Sequence, residues 1–600
     1  MAQLISDKKD IDFFIHEILE VPALSGHEEF RDYNKKTIDM ILKEARNLAM
    51  KEVVPTNTSA DEKGCTFENG TVRIPEELKK IWDLFRAGQW VAMTESPEWG
   101  GQGMPKALGA AATEYLTSAN TAMFMYVALT HGAANLIEKF GTDEQKNLYV
   151  ENMYTGKWTG TMLLTEPEAG SDVGALKTKA VKNPDGTYSI TGEKIFISGG
   201  DHDMAENIIH PVLARIEGAP EGTKGISLFL VPKIRVNPDK SLAKPNDVVC
   251  TGIEHKMGIR GNCTCSLSLG SKGECTGTLL GEENKGMKLM FNMMNEARLF
   301  CGLQSVGLAG ASYANALDYA KKRVQGADIE NMIKGDMSGV PIINHPDVRR
   351  MLGLMKANSE GIRSIVYYVY HLIDLAEQSK NQEEKEKLEG LVELLIPIAK
   401  GYVTDKAFEV CSHGVQVFGG YGFIEEYPQA QNLRDCRITQ IYEGTNGIQA
   451  MDLLGRKLGM KKGKPLMDLM GLVMETINKA KEFESLKESC LILENSLNKL
   501  GETAMSIGKA AMSKNVKTAF AFAHPFMEAF GDIVNAWMLL KRAVVSSEKI
   551  ESAKKNKDFY TGQINSANFY ISSVIPVTNG KMESIRKMKN HCIEMSDSQF

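Results

Sequence analysis

The sequence predicts a multidomain, mostly α-helical protein with a small β domain in its middle. Three observations carry that expectation. Apolar residues recur at helical spacing over residues 1–158 and again from Met287 onward. Between them, residues 159–283 turn to β-branched and aromatic runs punctuated by turn residues. The chain has 600 residues with 43% apolar and 24% charged side chains, the profile of a globular protein of about four domain-sized units.

In the first segment, Ile38, Ile41, Leu42, Ala45 and Leu48 mark one helix, and helical patterns resume near 76–87, 106–119 and 122–139. The loop Glu98-Trp-Gly-Gly-Gln-Gly-Met-Pro105 interrupts them without the spacing or strand context of a nucleotide fingerprint. In the β segment, strands are expected over 186–198, 208–216, 225–231 and 263–269, with a turn at Asn183-Pro-Asp-Gly186. Helices return over 284–458, with 326–344 as a polar, glycine-containing loop. Gly459-Met-Lys-Lys-Gly-Lys-Pro465 is a basic linker. Beyond it, residues 466–600 form a second helical unit, with packing stripes at Leu493, Leu497, Leu500, Ala504 and at Phe526, Phe530, Ile533, Trp537.

Composition narrows the function. A net charge of −6 gives no reason to expect nucleic acid or an anionic membrane. No apolar run of about 18 residues is present, so no transmembrane segment is expected. Neither terminus reads as a targeting signal, and a cytoplasmic location is expected. Ten cysteines are dilute; Cys263, Cys265 and Cys275 come closest to a cluster, but no His follows at ligand spacing. Reduced core thiols and no metal are expected. His131, His255 and His413 show no partner pattern and are assigned to core or surface.

Two segments carry chemistry. In Arg437-Ile-Thr-Gln-Ile-Tyr-Glu-Gly-Thr-Asn-Gly-Ile-Gln449, Glu443 sits beside Gly444, which lets the backbone turn sharply or lie against a flat ligand. Thr445 or Asn446 then caps a helix suggested by Ile448, Met451, Leu453 and Leu454. From these residues alone, Glu443 is either an acidic residue complementing a helix dipole or a working carboxylate. Thr165-Glu-Pro-Glu-Ala-Gly-Ser-Asp172 is a turn dense in hydroxyl and backbone donors, suited to a pyrophosphate or a ring edge, and equally readable as an ordinary loop.

Ile441-Tyr-Glu-Gly-Thr445 followed by Ile448-Gln449 resembles the catalytic-base segment of acyl-CoA dehydrogenases, and the Thr165 turn is similar to that family's flavin-binding signature. Over roughly residues 30–458 the remaining matches fall in family order. The resemblance implies Glu443 as the base that takes the α-proton of an acyl-CoA. It implies FAD contacts from Leu164, Thr165, Ser171, Phe196, Ser198, Thr445 and Gly447. Phe196 and Ser198, in Lys194-Ile-Phe-Ile-Ser198, stand where the family usually has Trp and Thr. Arg323, with Lys322 as a competing alignment, and Gln416, Gly419 and Gly420 would reach the FAD of a neighbouring subunit. Ser171, Met294, Arg298 and Gly444 fall on the substrate side; Met293, Phe124 and Met125 are further candidates for the acyl cavity. By itself, Arg298 would read as a surface helix residue.

The implied architecture is an N-terminal α domain, a middle β-barrel-like domain, a C-terminal four-helix bundle and an extra helical domain, with FAD between the β domain and the bundle. The implied activity is α,β-dehydrogenation of an acyl-CoA to a trans-2-enoyl-CoA, with electrons passing to an electron-transferring flavoprotein. A homodimer is expected, the tail covering a bundle face used for tetramers in shorter relatives. Two alternatives stand beside this: an acyl-CoA oxidase using O₂, and a flavin-containing nucleic-acid-associated protein on the same scaffold. The charge of −6 and the presence of Glu443 argue against the second.

Overall fold

The computed structural model describes residues 4–553 and 555–600. Helices include α1 (Lys106–Ala119), α2 (Thr121–Phe140) and α3 (Asp143–Tyr154). Asn120 caps α2 by accepting from the Met123 N–H at 3.0 Å, and Thr142 with Gln145 forms a capping box on α3. The eight strands of the main sheet follow: β1 (Trp158–Gly160), β2 (Lys179–Lys182), β3 (Tyr188–Ser198), β4 (Asn207–Ile216), β5 (Ile226–Pro232), β6 (Val248–Ile253), β7 (Thr264–Leu269) and β8 (Thr276–Leu280). The chain then returns to helix with α4 (Gly286–Lys322), α5 (Pro346–Gln378), α6 (Gln382–Pro397), α7 (Val403–Phe418) and α8 (Asn446–Asp452). The tail contributes α9 (Lys464–Ala480), α10 (Lys487–Ala511), α11 (Ala523–Lys549) and α12 (Lys557–Ser573). Among the described residues no helix is long and apolar enough to cross a membrane.

The chain divides into two compact units. One comprises Lys43–Met104 and Ala119–Phe300; the other takes the N-terminal residues to Leu42, Pro105–Ser118 and Cys301–Phe600.

In the first unit the strands run in the order β6-β7-β3-β8-β5-β4-β1, and β2 pairs with both β3 and β4. Strand β2 therefore closes β3, β8, β5 and β4 into a ring, the barrel-like geometry expected. Strand β5 is buried along its whole length. Its Leu228 and Leu230, with Leu213, Trp158, Ala133 and Met293, build the core that joins sheet and helices. The turn at Asn183–Gly186 connects β2 to β3, as its sequence requires, with Gly186 at φ 85°.

The second unit is helical and includes the tail. Its centre is an ion network. Arg363 on α5 donates through Nε to both oxygens of Glu114 on α1, at 3.0 and 2.9 Å, and also pairs with Asp10. Arg542 on α11 pairs with the same Asp10 and donates to Ser364 at 3.0 Å and Gln563 at 2.9 Å. All four charged members of this cluster are buried, Arg542 at 0% exposure. Burial works to raise the Asp10 carboxyl, but the two guanidiniums outweigh it and hold it low. Where 326–344 reads as a plain loop in sequence, the structure has a small hairpin, Val324–Ala327 against Gly339–Pro341, and a short helix Ile329–Ile333. The linker is a 3₁₀ turn, Met460–Gly463, with Lys461 and Lys462 in left-handed backbone.

Removing one member of a buried ion cluster leaves the others uncompensated. Arg542→Ala should lose about 3–5 kcal/mol of stability, seen as a lower urea midpoint. An unchanged midpoint would show that the tail is not locked to the N-terminal residues through Asp10.

Candidate active site

The turn carrying Glu443 is built from both sides. It follows a 3₁₀ turn, Ile438–Gln440, and precedes α8, whose N-cap is Thr445: its hydroxyl accepts the Ile448 N–H at 3.3 Å. Glu443 is half-buried and sits at φ 58°, a region L-residues enter at a cost, and Gly444 follows at φ 81°. The Gln449 amide donates to the carbonyls of Glu443 at 3.2 Å and Gly444 at 3.3 Å. A Cβ at residue 444 would meet that amide nitrogen at 2.9 Å, so the position requires glycine on both counts.

Behind the turn lies a polar lock. Asn446, buried, donates to the Gly401 carbonyl at 3.0 Å, the Thr404 hydroxyl at 2.9 Å and Asp405 at 2.7 Å, and accepts from Lys400 at 2.8 Å. Lys400 and Gly401 belong to a π-helical segment, Ile398–Tyr402, between α6 and α7. Such wide turns aim backbone and side chains where an α-helix cannot. Asp405 also accepts from Gln440 at 2.6 Å and meets His524 of α11 at 3.1 Å. Burial opposes the Asp405 charge, but His524 and Gln440 hold its carboxyl low. The Tyr442 hydroxyl pairs with Gln304, and the Cys301 thiol with the Thr439 carbonyl at 3.3 Å.

In the same unit, Arg323, Gln416, Gly419 and Gly420 come together. They line an open groove of about 440 Å³ with Tyr319 and Tyr421. The Arg323 guanidinium lies 5.7 Å above the Tyr421 ring, and Tyr319 stacks on Phe418 at 4.1 Å. Lys322 instead pairs with Asp318 at 2.7 Å, one turn back along α4. Nothing stands within 4 Å of where a Cβ of Gly419 or Gly420 would be, so the backbone there is open to the groove. Gly447, near the Glu443 turn, is equally uncrowded, with only the Thr445 hydroxyl at 3.7 Å.

The other unit holds the remaining residues. Lys194, fully buried, donates to the carbonyls of Leu164 at 3.1 Å and Leu213 at 2.9 Å and to Glu166 at 2.8 Å. Burial lowers the Lys194 ammonium to about 8, against the pull of Glu166. Glu166 also accepts the Lys177 N–H and the Thr178 hydroxyl, both at 2.6 Å. The Thr165–Asp172 turn is thus clamped at its root, and the Ile195 N–H bonds the Thr165 carbonyl at 3.0 Å. Leu164 and Thr165 are half-buried and Ser171 is exposed. On β3, Phe196 has φ 58° and its ring is 59% exposed, two residues before half-buried Ser198. A strand that leaves its regular backbone to present an aromatic face is shaped for a flat partner.

Arg298, which helix spacing alone would leave on the surface and the resemblance puts on the substrate side, is 3% exposed and donates to Asn295 at 3.4 Å. One expectation changes. His131 is not without partners. Its Nε2 lies 2.6 Å from Glu95 and its Nδ1 2.7 Å from Glu296, so both ring nitrogens donate and the ring is an imidazolium. Burial alone disfavours that charge, but the carboxylates of Glu296 and Glu95 outweigh it and raise His131 to about 10. Asn135 also donates to Glu95, at 2.8 Å. The triad joins a loop, α2 and α4; no spacing in the sequence could have revealed residues so far apart. Met293 packs on Gly132, the residue after His131, and Phe124 stacks against Phe300 at 6.0 Å, while Met294 is half-buried.

Sequence models of four protein-family domains match the chain in series. They are the acyl-CoA dehydrogenase N-terminal domain over residues 35–157, the middle domain over 161–271, the C-terminal domain over 284–458, and an acetyl-CoA dehydrogenase C-terminal-like domain over 469–596. The chain is 36% identical over 573 residues to the 3-methylmercaptopropionyl-CoA dehydrogenase of Ruegeria pomeroyi, covering 94% of this chain and 95% of that one. It is also 36% identical over 606 residues to a butyryl-CoA dehydrogenase of Syntrophomonas wolfei, covering 99% and 98%. Among solved structures, an acyl-CoA dehydrogenase complexed with FAD from Bacillus anthracis aligns with a TM-score of 0.72 at 22% identity, over 94% of this chain and 90% of that one.

The half-buried triad makes a pH signature. The folded value of His131, about 10, lies above the ~6.5 of an unfolded chain. Its stabilisation is therefore complete below about pH 6.5 and is lost as pH rises through 10. Glu296 is held below its usual range, His131 overcoming burial, so on acidification the contribution fades as well. The melting-temperature gap between wild type and His131→Gln should be widest near neutral to mildly acid pH and close toward the alkaline limit. A gap that does not vary with pH would mean the ring is neutral in the fold.

Proposed function

The chain belongs to the acyl-CoA dehydrogenase family, and from that footing we propose that it converts an acyl-CoA thioester to its trans-2-enoyl-CoA with Glu443 as the base. The observation that carries this is the Glu443 turn: a half-buried carboxylate in left-handed backbone, braced by Gln449 and by the Asn446–Asp405 lock. Such backbone costs free energy, and here the Gln449 and Asn446 contacts hold it in place. In the reaction the Glu443 carboxylate accepts the α-proton of the thioester. Its backbone N–H donates to the thioester carbonyl, where negative charge develops as that proton leaves. Because the turn is fixed in advance, that stabilisation needs no rearrangement when charge appears.

The residues present fit FAD. The exposed Phe196 ring, with Leu164, Thr165 and Ser198 beside it in the fold, suits the isoalloxazine, and exposed Ser171 suits the pyrophosphate or the neighbouring CoA. Thr445 and uncrowded Gly447 suit a cofactor approach beside the base. A bound flavin would supply the two-electron acceptor for the β-hydrogen, which no side chain of this protein can be. Gly444, Met294 and Arg298 are assigned to the acyl-CoA. Met293 and Phe124 make its acyl side apolar.

The reading extends to a homodimer and to an electron-transferring flavoprotein as electron acceptor. What supports the dimer is the open groove of Arg323, Gln416, Gly419 and Gly420, lined also by exposed Tyr421. A second copy would bring the cofactor that this groove is shaped to hold.

Anaerobic addition of a panel of acyl-CoAs should bleach the bound flavin with at least one of them; no bleaching across straight, branched and thioether chains would remove the assignment. Glu443→Gln keeps the side chain's size but removes the base. It should retain yellow FAD and bind acyl-CoA, while flavin reduction falls by ~10²–10⁴, the usual loss for a general base. Near wild-type reduction by this variant would place the base elsewhere.

A further inference from the structure

The turn that carries Glu443 is supported from behind by one face of a tail helix. On α11, His524, Met527 and Gly531 are spaced by three and four residues, so they share that face. All three meet groups that hold the turn. His524 Nε2 lies 3.1 Å from Asp405 Oδ2. A Cβ at residue 401 would meet the Met527 sulfur at 2.5 Å and the Gln449 Cβ at 3.2 Å, so glycine there lets α11 and Gln449 close on the backbone together. A Cβ at residue 531 would run into the Tyr402 ring, so a second glycine brings α11 against the π-helical segment Ile398–Tyr402. Both partners bear on the turn itself: Gln449 donates to the Glu443 carbonyl, and the Gly401 carbonyl accepts from Asn446.

The polar part of this support converges on Asp405, and its two oxygens divide the task. Oδ1 accepts from Gln440 at 2.6 Å, three residues before Glu443, and from Asn446 at 2.7 Å, three residues after it. Oδ2 meets His524. Burial opposes the charge, but His524 and Gln440 outweigh it and keep the carboxyl ionised. An ionised carboxylate only accepts, so the proton between the two groups sits on His524 Nε2. One carboxylate therefore straddles the Glu443 turn, and one tail histidine fixes its orientation. Without a donor on Oδ2 the carboxylate pivots, and both bonds that flank Glu443 loosen with it.

We propose that His524 is a positioning residue for the Glu443 base, and that its proton couples the tail to the working turn. This rests on the reading of Glu443 as the base. His524 acts through Asp405, one step behind the turn, and a base displaced by a fraction of an ångström loses rate without losing its ligand. The groups around the ring set the direction of its response. The hydrogen bond to Asp405 on α7 raises His524 above its ordinary range, and the charges of Asp405 and of Glu528, one turn along α11, add to it. Burial and Lys581, on the helix Ile575–Lys587, oppose; Lys581 itself lies 3.6 Å from Glu528. The charged donor is thus present at low pH and is lost as pH rises through the raised value, leaving a neutral imidazole as the weaker partner of Asp405.

The test measures anaerobic flavin reduction by the FAD-loaded protein across pH, with the acyl-CoA that bleaches it fastest, at saturation. His524→Ala should keep its flavin and its acyl-CoA affinity while the limiting rate falls about tenfold, the scale of one hydrogen bond to a charged group. His524→Gln places an amide N–H where Nε2 stands and does not titrate. It should recover most of the rate and erase the wild-type decline on the alkaline side of the histidine range. Hydrogen–deuterium exchange of the same proteins without substrate is the second readout: amides over 441–449 should exchange faster in His524→Ala and as in wild type in His524→Gln. An unchanged limiting rate in the alanine variant, unchanged exchange over 441–449, or a glutamine variant that keeps the alkaline decline would each overturn the proposal. If no acyl-CoA bleaches the wild-type flavin, the assignment of Glu443 falls by itself, and the exchange comparison still decides whether His524 holds the turn.

Discussion

Asp10 is the constraint on which the helical unit depends. Two buried arginines, Arg363 from α5 and Arg542 from α11, converge on this one carboxylate. Neither guanidinium can lose its proton, and neither reaches water, so the carboxylates must be brought to them. Glu114 answers Arg363 from α1, and Ser364 and Gln563 complete the set around Arg542. The residues come from the N-terminus, from α1, from α5 and from two tail helices. The tail is therefore part of one compact unit with the bundle helices rather than a bead on a basic linker.

The same tail reaches the turn of Glu443. His524 on α11 fixes Asp405, Asp405 fixes Asn446, and Asn446 sits three residues after Glu443. Each link is a hydrogen bond between buried or half-buried groups, where an unmet partner is costly. Two consecutive residues in left-handed backbone, Glu443 and Gly444, would relax without that lock. The π-helical segment Ile398–Tyr402 matters here because it turns the Gly401 carbonyl and the Lys400 ammonium toward Asn446.

In the β-containing unit the corresponding anchor is Lys194. A fully buried ammonium has to be surrounded, and the carbonyls of Leu164 and Leu213 and the Glu166 carboxylate surround it. The Thr165 turn is consequently held to β3 and β4 at its base while its hydroxyl-bearing tip is left outside. On the next residues of β3 the backbone breaks from strand geometry at Phe196 and exposes its ring. Buried charge below and an exposed donor-rich edge above follow from one arrangement.

Local signals were enough for much of this. The alternation of helix, strand and helix textures, the Asn183–Gly186 turn, the glycine at 444 and the Thr445 cap are all written in nearest neighbours, because turns and caps are decided by residues a few positions apart. The Ile441–Thr445 and Thr165–Asp172 runs marked the chemistry for the same reason. What sequence could not supply were pairings across long separations. Strand β2 closing the ring, Asp10 meeting Arg542, and His131 lying between Glu95 and Glu296 each depend on which elements pack together. Arg298 looked like a surface residue because its helix spacing says nothing of what covers that face. Short-range chemistry fixes backbone shape along the chain; only the burial of apolar surface in three dimensions decides which distant charges must then face one another.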